Sequence, residues 1–313
     1  MRQVEPNSIS LSFWSPPYFV GKSYEKDLSF ADWKALLQEV IELHGHILKP
    51  GGFLVVNIAD ILVFPDPNLP RIAANASSQK KVPVTRQQIL EARRLHPSFN
   101  RYQLAELLGC SEQTVQRRLE GVNVRGGKYE TQTKVKLVGG LVEEWAEMAG
   151  LYLYDRRVWV KDPAWENSRW HSLSYRAVDE FEYVYVFLKP GELDVDRRRI
   201  RREEWAKWGS RAVWSIPSVR QNDNHEAKFP EALARNVVRL FSNPGDVVMD
   251  CFVGSGTTAV VAVREGRRFI GIELMPGYAK LARRRVSEAQ TSLERYGKPA
   301  PVGSGSSAPR GAR

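Results

Sequence analysis

Cysteine is nearly absent from this 313-residue sequence: only Cys110 and Cys251 occur, far apart, alongside five scattered histidines. No metal-ligand spacing can be drawn from so few groups, and a reduced, cytosolic setting fits them, so no metal is expected. Long apolar runs are missing as well, and the first ten residues carry no signal-peptide pattern, so neither export nor a membrane span is expected. Acidic residues are in the minority, 36 Asp and Glu against 46 Lys and Arg, and the net charge of +10 favours a polyanionic partner, nucleic acid first. What remains is a length that can bury a large core, as one big domain or one domain carrying an insert.

The hydrophobic pattern alternates between strand and helix periods. Residues 8–13 read as a strand, 30–48 as a helix with Trp33, Leu36, Leu37, Val40, Ile41 and Ile47 on one face, and 53–58 as a continuous apolar strand of the kind buried on both faces. Lys49-Pro50-Gly51-Gly52 separates the last two. A helix over 134–148, strands over 152–160 and 181–188, and a final strand, helix, strand series over 246–250, 257–264 and 268–274 continue the alternation. The fold class expected is α/β, with helices on both faces of one sheet.

Two stretches carry chemistry. The first strand runs into Ser15-Pro16-Pro17-Tyr18, where two prolines must leave the sheet as a stiff extended turn bearing a hydroxyl and flanked by aromatic rings. Near the other end, Asp250-Cys251-Phe252-Val253-Gly254-Ser255-Gly256-Thr257-Thr258 joins a strand to a helix. Its glycines allow close approach of a ligand to the backbone, and the helix amino end favours negative groups. Glu273 lies 23 residues past Asp250 at the next strand end, where an acid meets ribose hydroxyls in nucleotide-binding βαβ units. The loop has no Walker lysine, which argues against ATP hydrolysis. Although 235 residues separate Ser15 from Asp250, loops at the carboxyl ends of adjacent strands face one crevice and can converge.

The nonapeptide resembles the DPFxGSGTT sequence of DNA amino-methyltransferases, and SPPY at 15–18 resembles their catalytic tetrapeptide. Residues 269–273 (FIGIE) resemble the second cofactor strand, and residues 225–230 (HEAKFP) the remaining cofactor motif. Catalytic motif first and cofactor loop last is the order of the permuted β group, and the likeness spans roughly 8–60 and 150–285. Cys251 stands where the family usually has proline. The resemblance implies a seven-stranded, Rossmann-like methyltransferase sheet, permuted. It implies S-adenosylmethionine as cofactor, held by Asp250, Phe252, Gly254, Ser255, Gly256, Thr257, Thr258, Glu273, Leu274, Lys228, Phe229 and Pro230. It also implies a base flipped out of duplex DNA, with Ser15 and the Pro16 carbonyl accepting the hydrogens of its exocyclic amine, Pro17 holding that carbonyl and Tyr18 stacking on the ring. Members with Ser in the first position mostly methylate cytosine at N4, and those with Asp mostly adenine at N6. Cytosine N4 is therefore expected, with adenine N6 the alternative.

About 75 residues separate the strand ending at Ile58 from the next expected helix, too many for an ordinary connection. Residues 79–128 carry ten Lys and Arg against four Glu, an excess of six. Residues 104–119 (LAELLGCSEQTVQRRL) resemble the helix-turn-helix of Fis-type DNA-binding domains, and Thr85 with Gln88 forms a capping box before them. The second helix, about 111–120, would enter the major groove with Gln113, Gln116, Arg117 and Arg118. Arg198 and Arg199, in a second basic run, are further candidates for DNA contact, and the aromatic loop 162–176 for holding the flipped base. The expected division is 1–67 and 133–296 for the methyltransferase domain, 68–132 for the helical insert and 297–313 for a disordered tail. Double-stranded DNA is the expected partner, with a cognate restriction endonuclease acting separately, and the cytoplasm, in association with the nucleoid, the expected location. Two other functions stay open at this point: a nicotinamide-dependent oxidoreductase, from the glycine loop and Glu273, and a non-enzymatic DNA-binding regulator, from the insert.

Overall fold

The computed structural model describes residues 1–19, 28–66, 68–69, 84–120, 132–163, 177–219 and 229–296. Residues Met1–Leu62 together with those from Val135 onward form one compact unit, and Val63–Lys134 another.

The larger unit is built on the expected α/β sheet. Seven strands lie in the order β7-β5-β6-β2-β1-β8-β9. They are β1 (Ile9–Trp14), β2 (Leu48–Ile58), β5 (Tyr152–Val160), β6 (Phe181–Leu188), β7 (Val213–Ser215), β8 (Val247–Asp250) and β9 (Arg268–Gly271). β1 pairs parallel with β2 on one side and β8 on the other, and β8 is parallel to β9. β6 is antiparallel to both β2 and β5.

Side-chain alternation along β1 shows how the layers form. Leu11 and Phe13 join the main core with Leu233, Ala234, Val237 and Val238 of α7 (Glu231–Phe241) and with Val261 and Ala262 of α8 (Thr257–Arg264). Ser12 and Trp14 point to the opposite face and meet His44 of α1 (Phe30–Ile47), so helices cover both faces. Ser29 starts α1 through a capping box with Asp32, and α1 links β1 to β2 on one side while α8 links β8 to β9 on the other. Connections therefore diverge between β1 and β8. At the carboxyl ends of an open sheet, that divergence is where a crevice forms.

The expected helix over 134–148 is corrected: residues Gln132–Lys136 form a strand, β4, paired with β3 (Ile61–Asp66), and the helix α5 spans only Gly139–Met148. The Asp60 carboxylate accepts a hydrogen bond from Val138 N–H at 2.8 Å and fixes the start of that helix, while the alternating Lys134, Val135, Lys136 suits an extended pair. β2 also starts earlier than expected, directly after α1. The register shift between Ile9 and Leu11 absorbs Lys49–Gly52 as a bulge, and a Cβ at Gly51, whose φ is +75°, would lie 1.9 Å from Glu192 O.

In the smaller unit, α2 (Arg86–Leu95) starts with the Thr85–Gln88 capping box and α3 (Arg101–Leu107) with an Asn100–Gln103 box. With α4 (Glu112–Glu120) they enclose a core of Val84, Ile89, Ala92, Leu104, Ala105 and Val115, onto which Leu108 and Leu119 pack. Gly109, at φ +62°, turns the chain between α3 and α4. Among the described residues no helix is long and apolar enough to cross a membrane, and no group of side chains could hold a metal ion.

Candidate active site

Ser15-Pro16-Pro17-Tyr18 follows β1 directly, and the glycine loop follows β8, its neighbour in the sheet. The two meet through Trp14 and Phe252, whose rings pack edge to face with centroids 5.4 Å apart. Phe229 lies 5.1 Å from Phe13, and Pro230 caps α7, so the part of the 225–230 motif within the described residues reaches the same end of the sheet. Lys228 lies outside the described residues.

The base of the tetrapeptide is held by a buried histidine. His44 Nδ1 stands 2.6 Å from Val40 O, a pure acceptor, so Nδ1 carries the proton and Nε2 accepts from Ser12 Oγ at 2.8 Å and Trp14 Nε1 at 3.3 Å. Burial lowers the His44 pKa to about 4, which keeps the ring neutral as this geometry requires. An unfolded histidine titrates near 6.5, so as pH falls through that value the unfolded chain takes up a proton the folded one refuses, and stability is lost down to about pH 4. The difference in unfolding free energy between pH 7 and pH 4 should therefore be about 3 kcal/mol larger for the wild type than for His44→Gln. Denaturant titrations giving both proteins the same difference would contradict this.

Further along, the Trp33 indole donates to Pro17 O at 2.7 Å, and Phe19, at φ +56°, packs on Phe30 and Trp33. The Tyr18 hydroxyl lies 2.7 Å from Glu182 Oε2 and 3.1 Å from Asn57 O, neither of which brings a hydrogen. The single phenol hydrogen goes to the nearer, charged Glu182 Oε2, so Ser15 Oγ, 2.8 Å away, donates to the phenol oxygen. The hydrogen of Ser15 is thereby used inward, and its lone pairs remain as acceptors. Asn57 Nδ2 also donates to Glu182 Oε2 at 3.0 Å, and Lys161 Nζ donates to Glu182 Oε1 at 2.7 Å while standing 3.0 Å from Asp179. Burial alone would lower the Lys161 pKa, but the carboxylates of Glu182 and Asp179 outweigh it and raise it.

At the glycine loop, Gly254 and Gly256 have φ of +49° and +87°, open to glycine at little cost. Both oxygens of Glu273 accept backbone hydrogen bonds, Oε2 from Gly254 N and Oε1 from Met275 N, each at 2.8 Å. Asp250 accepts from Phe252 N at 2.9 Å. Burial, with a smaller contribution from the Glu273 charge, pushes its pKa up to about 7. Burial also raises the Cys251 thiol well above its usual range, so it is a small buried apolar group and no nucleophile. Leu274, beside Glu273, is 91 % exposed.

The basic candidates are placed unequally. Arg199 donates to Leu240 O at 3.2 Å and to Arg239 O, so it caps the carboxyl end of α7 and is only partly exposed, whereas the Arg198 side chain is 92 % exposed. On α4, Arg118 is exposed and Gln116 is partly buried, while the side chains of Gln113 and Arg117 lie outside the described residues, as does the aromatic loop from 164 to 176. Sequence reasoning missed Trp33, Asn57, Lys161 and Glu182 as parts of the site.

The pattern of a family described as DNA methylase, N6_N4_Mtase, matches residues 9–284. The chain is 57% identical over 286 residues to Type II methyltransferase M.BglI of Bacillus subtilis, covering 91% of this chain and 82% of that protein. Two solved structures share the fold. The TTHA0409 protein of Thermus thermophilus, complexed with S-adenosyl-L-methionine, has a TM-score of 0.57 at 24% identity, covering 92% and 89% of the two chains. The cytosine-N4-specific PvuII DNA methyltransferase has a TM-score of 0.58 at 18% identity, covering 94% and 88%.

Proposed function

The chain belongs to the N6_N4_Mtase family of DNA methylases, and from that premise we propose that it transfers the methyl group of S-adenosylmethionine to the exocyclic N4 amine of cytosine in double-stranded DNA. The observation that carries the amine chemistry is Ser15. It stands at the end of β1, beside the glycine loop of the neighbouring strand, with its hydrogen donated inward and its lone pairs left to accept. An exocyclic amine is a poor nucleophile because its lone pair is delocalised into the ring, and two acceptors on its hydrogens turn that pair out of conjugation. Ser15 Oγ and the Pro16 carbonyl are those acceptors. Trp33, through Pro17 O, and His44, through Trp14, hold the turn that presents them.

The residues of the glycine loop fit the cofactor. Glu273 retains lone pairs for ribose hydroxyls on oxygens already aligned by two backbone amides, and exposed Leu274 offers an apolar surface for a base ring. S-adenosylmethionine supplies, when bound, a methyl carbon on a positively charged sulfur. Asp250, Phe252, Ser255, Thr257 and Thr258, together with Lys228 to Pro230, complete its site in this reading.

Support for cytosine over adenine comes from the serine that heads the tetrapeptide. Because the Ser15 hydrogen is engaged with Tyr18, donation to a ring nitrogen of the base adds nothing to it. The family name covers both N6 and N4 amines, so adenine N6 is the second reading. Mass spectrometry of nucleosides from DNA treated with the protein and labelled cofactor should show N4-methylcytosine, and N6-methyladenine alone would overturn the choice of base.

The unit Val63–Lys134 supplies DNA affinity and part of the sequence readout, as a helix-turn-helix whose α4 enters the major groove with Gln113, Gln116, Arg117 and Arg118; Arg198 adds a phosphate contact elsewhere. Replacing Arg117 and Arg118 with Ala should weaken DNA binding and reduce the slope of log affinity against log salt by about 1 to 2, with cofactor affinity unchanged. An unchanged slope would remove these arginines from the interface. A cognate endonuclease acting on the same DNA site is the partner proposed for such an enzyme.

A further inference from the structure

We propose that Glu182 is a positioning residue for methyl transfer: through Tyr18 it fixes the direction of the hydrogen bond from Ser15 and takes up the proton that the methylated amine must lose. This rests on the reading that Ser15 holds the exocyclic amine.

The network runs along one face of the sheet. Leu11 and Phe13 on β1, Phe53 and Val55 on β2, and Val184 and Val186 on β6 fill the main core, and the next same-face residues are Ser15, Asn57 and Glu182. Trp159 on β5 is followed in the same way by Lys161. The apolar rows of four neighbouring strands thus all end in polar groups, and those groups bond to one another behind the tetrapeptide. Glu182 is 8 % exposed and ion-paired to Lys161. Burying such a pair costs about as much desolvation as it returns, so stability does not account for its presence. A charge cluster of this kind beside reacting groups points to chemistry.

The proton balance gives it a task. As the amine nitrogen gives its lone pair to the methyl carbon, the carbon–sulfur bond breaks with its electrons staying on sulfur, and the nitrogen becomes positively charged. It must then lose one proton. An aspartate heading the tetrapeptide could keep that proton, whereas a serine hydroxyl cannot hold a second one. Ser15 Oγ can receive it only by passing its own hydrogen to the Tyr18 oxygen, which passes the phenol hydrogen to Glu182 Oε2; these gaps are 2.8 and 2.7 Å. One proton leaves the amine, one arrives on the carboxylate, and Ser15 and Tyr18 are restored. A four-bonded exocyclic nitrogen on an electron-poor base ring is a far stronger acid than a carboxylic acid, because losing the proton restores conjugation of its lone pair with the ring, so the transfer runs downhill. Lys161, also paired with Asp179, keeps the Glu182 carboxylate in place as its charge is lost. An amide at position 182 would keep its oxygen toward Lys161 and turn its NH2 to Tyr18, reversing both hydrogen bonds and pointing the Ser15 hydrogen at the amine.

The test uses the full-length protein with DNA and S-adenosylmethionine, comparing Glu182→Gln, Tyr18→Phe and the double variant. Each single change should lower kcat about 100-fold, with KM for DNA and cofactor affinity within twofold, and the double should be no slower than the slower single. A kcat for Glu182→Gln within threefold of wild type, or multiplicative losses in the double variant, would overturn the proposal. Should Glu182→Gln fail to fold, Tyr18→Phe decides alone, because phenylalanine keeps the ring and removes the relay; a rate within threefold of wild type then overturns it. Failure of the underlying reading is distinct: wild-type protein would place no label on an exocyclic amine.

Discussion

Replacing Ser15 with alanine should lower the single-turnover rate of methyl transfer by about 10² to 10³-fold while leaving cofactor affinity unchanged. The size follows from what is lost: a fixed acceptor aimed at a group whose charge changes in the transition state is worth about 3 to 4 kcal/mol in a water-poor site. Ser15 donates only to Tyr18, so the alanine leaves the phenol its Glu182 and Asn57 acceptors, and the turn stays anchored by Trp33 on Pro17 O. Loss of rate with intact folding is the expected combination. Quench-flow measurement of labelled methyl incorporation, paired with calorimetric titration of cofactor, separates the two; a rate within threefold of wild type would take Ser15 out of the chemistry.

Glu273→Ala should weaken S-adenosylmethionine binding between about tenfold and about 100-fold, the worth of one charge-assisted hydrogen bond of roughly 1.5 to 3 kcal/mol. The same change unpairs Gly254 N–H and Met275 N–H, so the loop between β8 and α8 also loses a brace. Glutamine is no gentle replacement here. Both carboxylate oxygens accept from backbone N–H groups, and an amide would set its NH2 against one of them, so Glu273→Gln should bind little better than the alanine variant. Calorimetry giving either variant wild-type affinity would contradict the role of Glu273.

The main strands of the fold were legible because apolar runs bounded by Pro and Gly mark a buried sheet, and the glycine loop because left-handed backbone at Gly254 and Gly256 selects that residue type. The segment before α5 was misread because Val135 also stands at helical spacing from Val138 and Val142, so a short alternating stretch could be taken as part of the helix, and the pairing with β3 and the bond from Val138 to Asp60 show where the helix starts. Arg199 reads as one of a basic run, yet its placement depends on carbonyls of α7 some 40 residues away in sequence. Asn57, Lys161 and Glu182 each look like an ordinary strand end. Their mutual bonding shows only when register sets them on one face of neighbouring strands, and the signal that could have found them was a polar residue taking the next place in the core-facing row of each strand, two positions from its last core residue.

On the proposed function, the tetrapeptide and the glycine loop act as one site that moves a methyl group from S-adenosylmethionine to an exocyclic amine of DNA. Incubating duplex DNA with methyl-labelled cofactor and either wild-type protein or Ser15→Ala, then locating the label within the hydrolysed nucleosides, tests it most directly. Label is expected on an exocyclic nitrogen with wild type and almost none with the variant. Label on ring carbon C5 of cytosine, or equal labelling by both proteins, would contradict it.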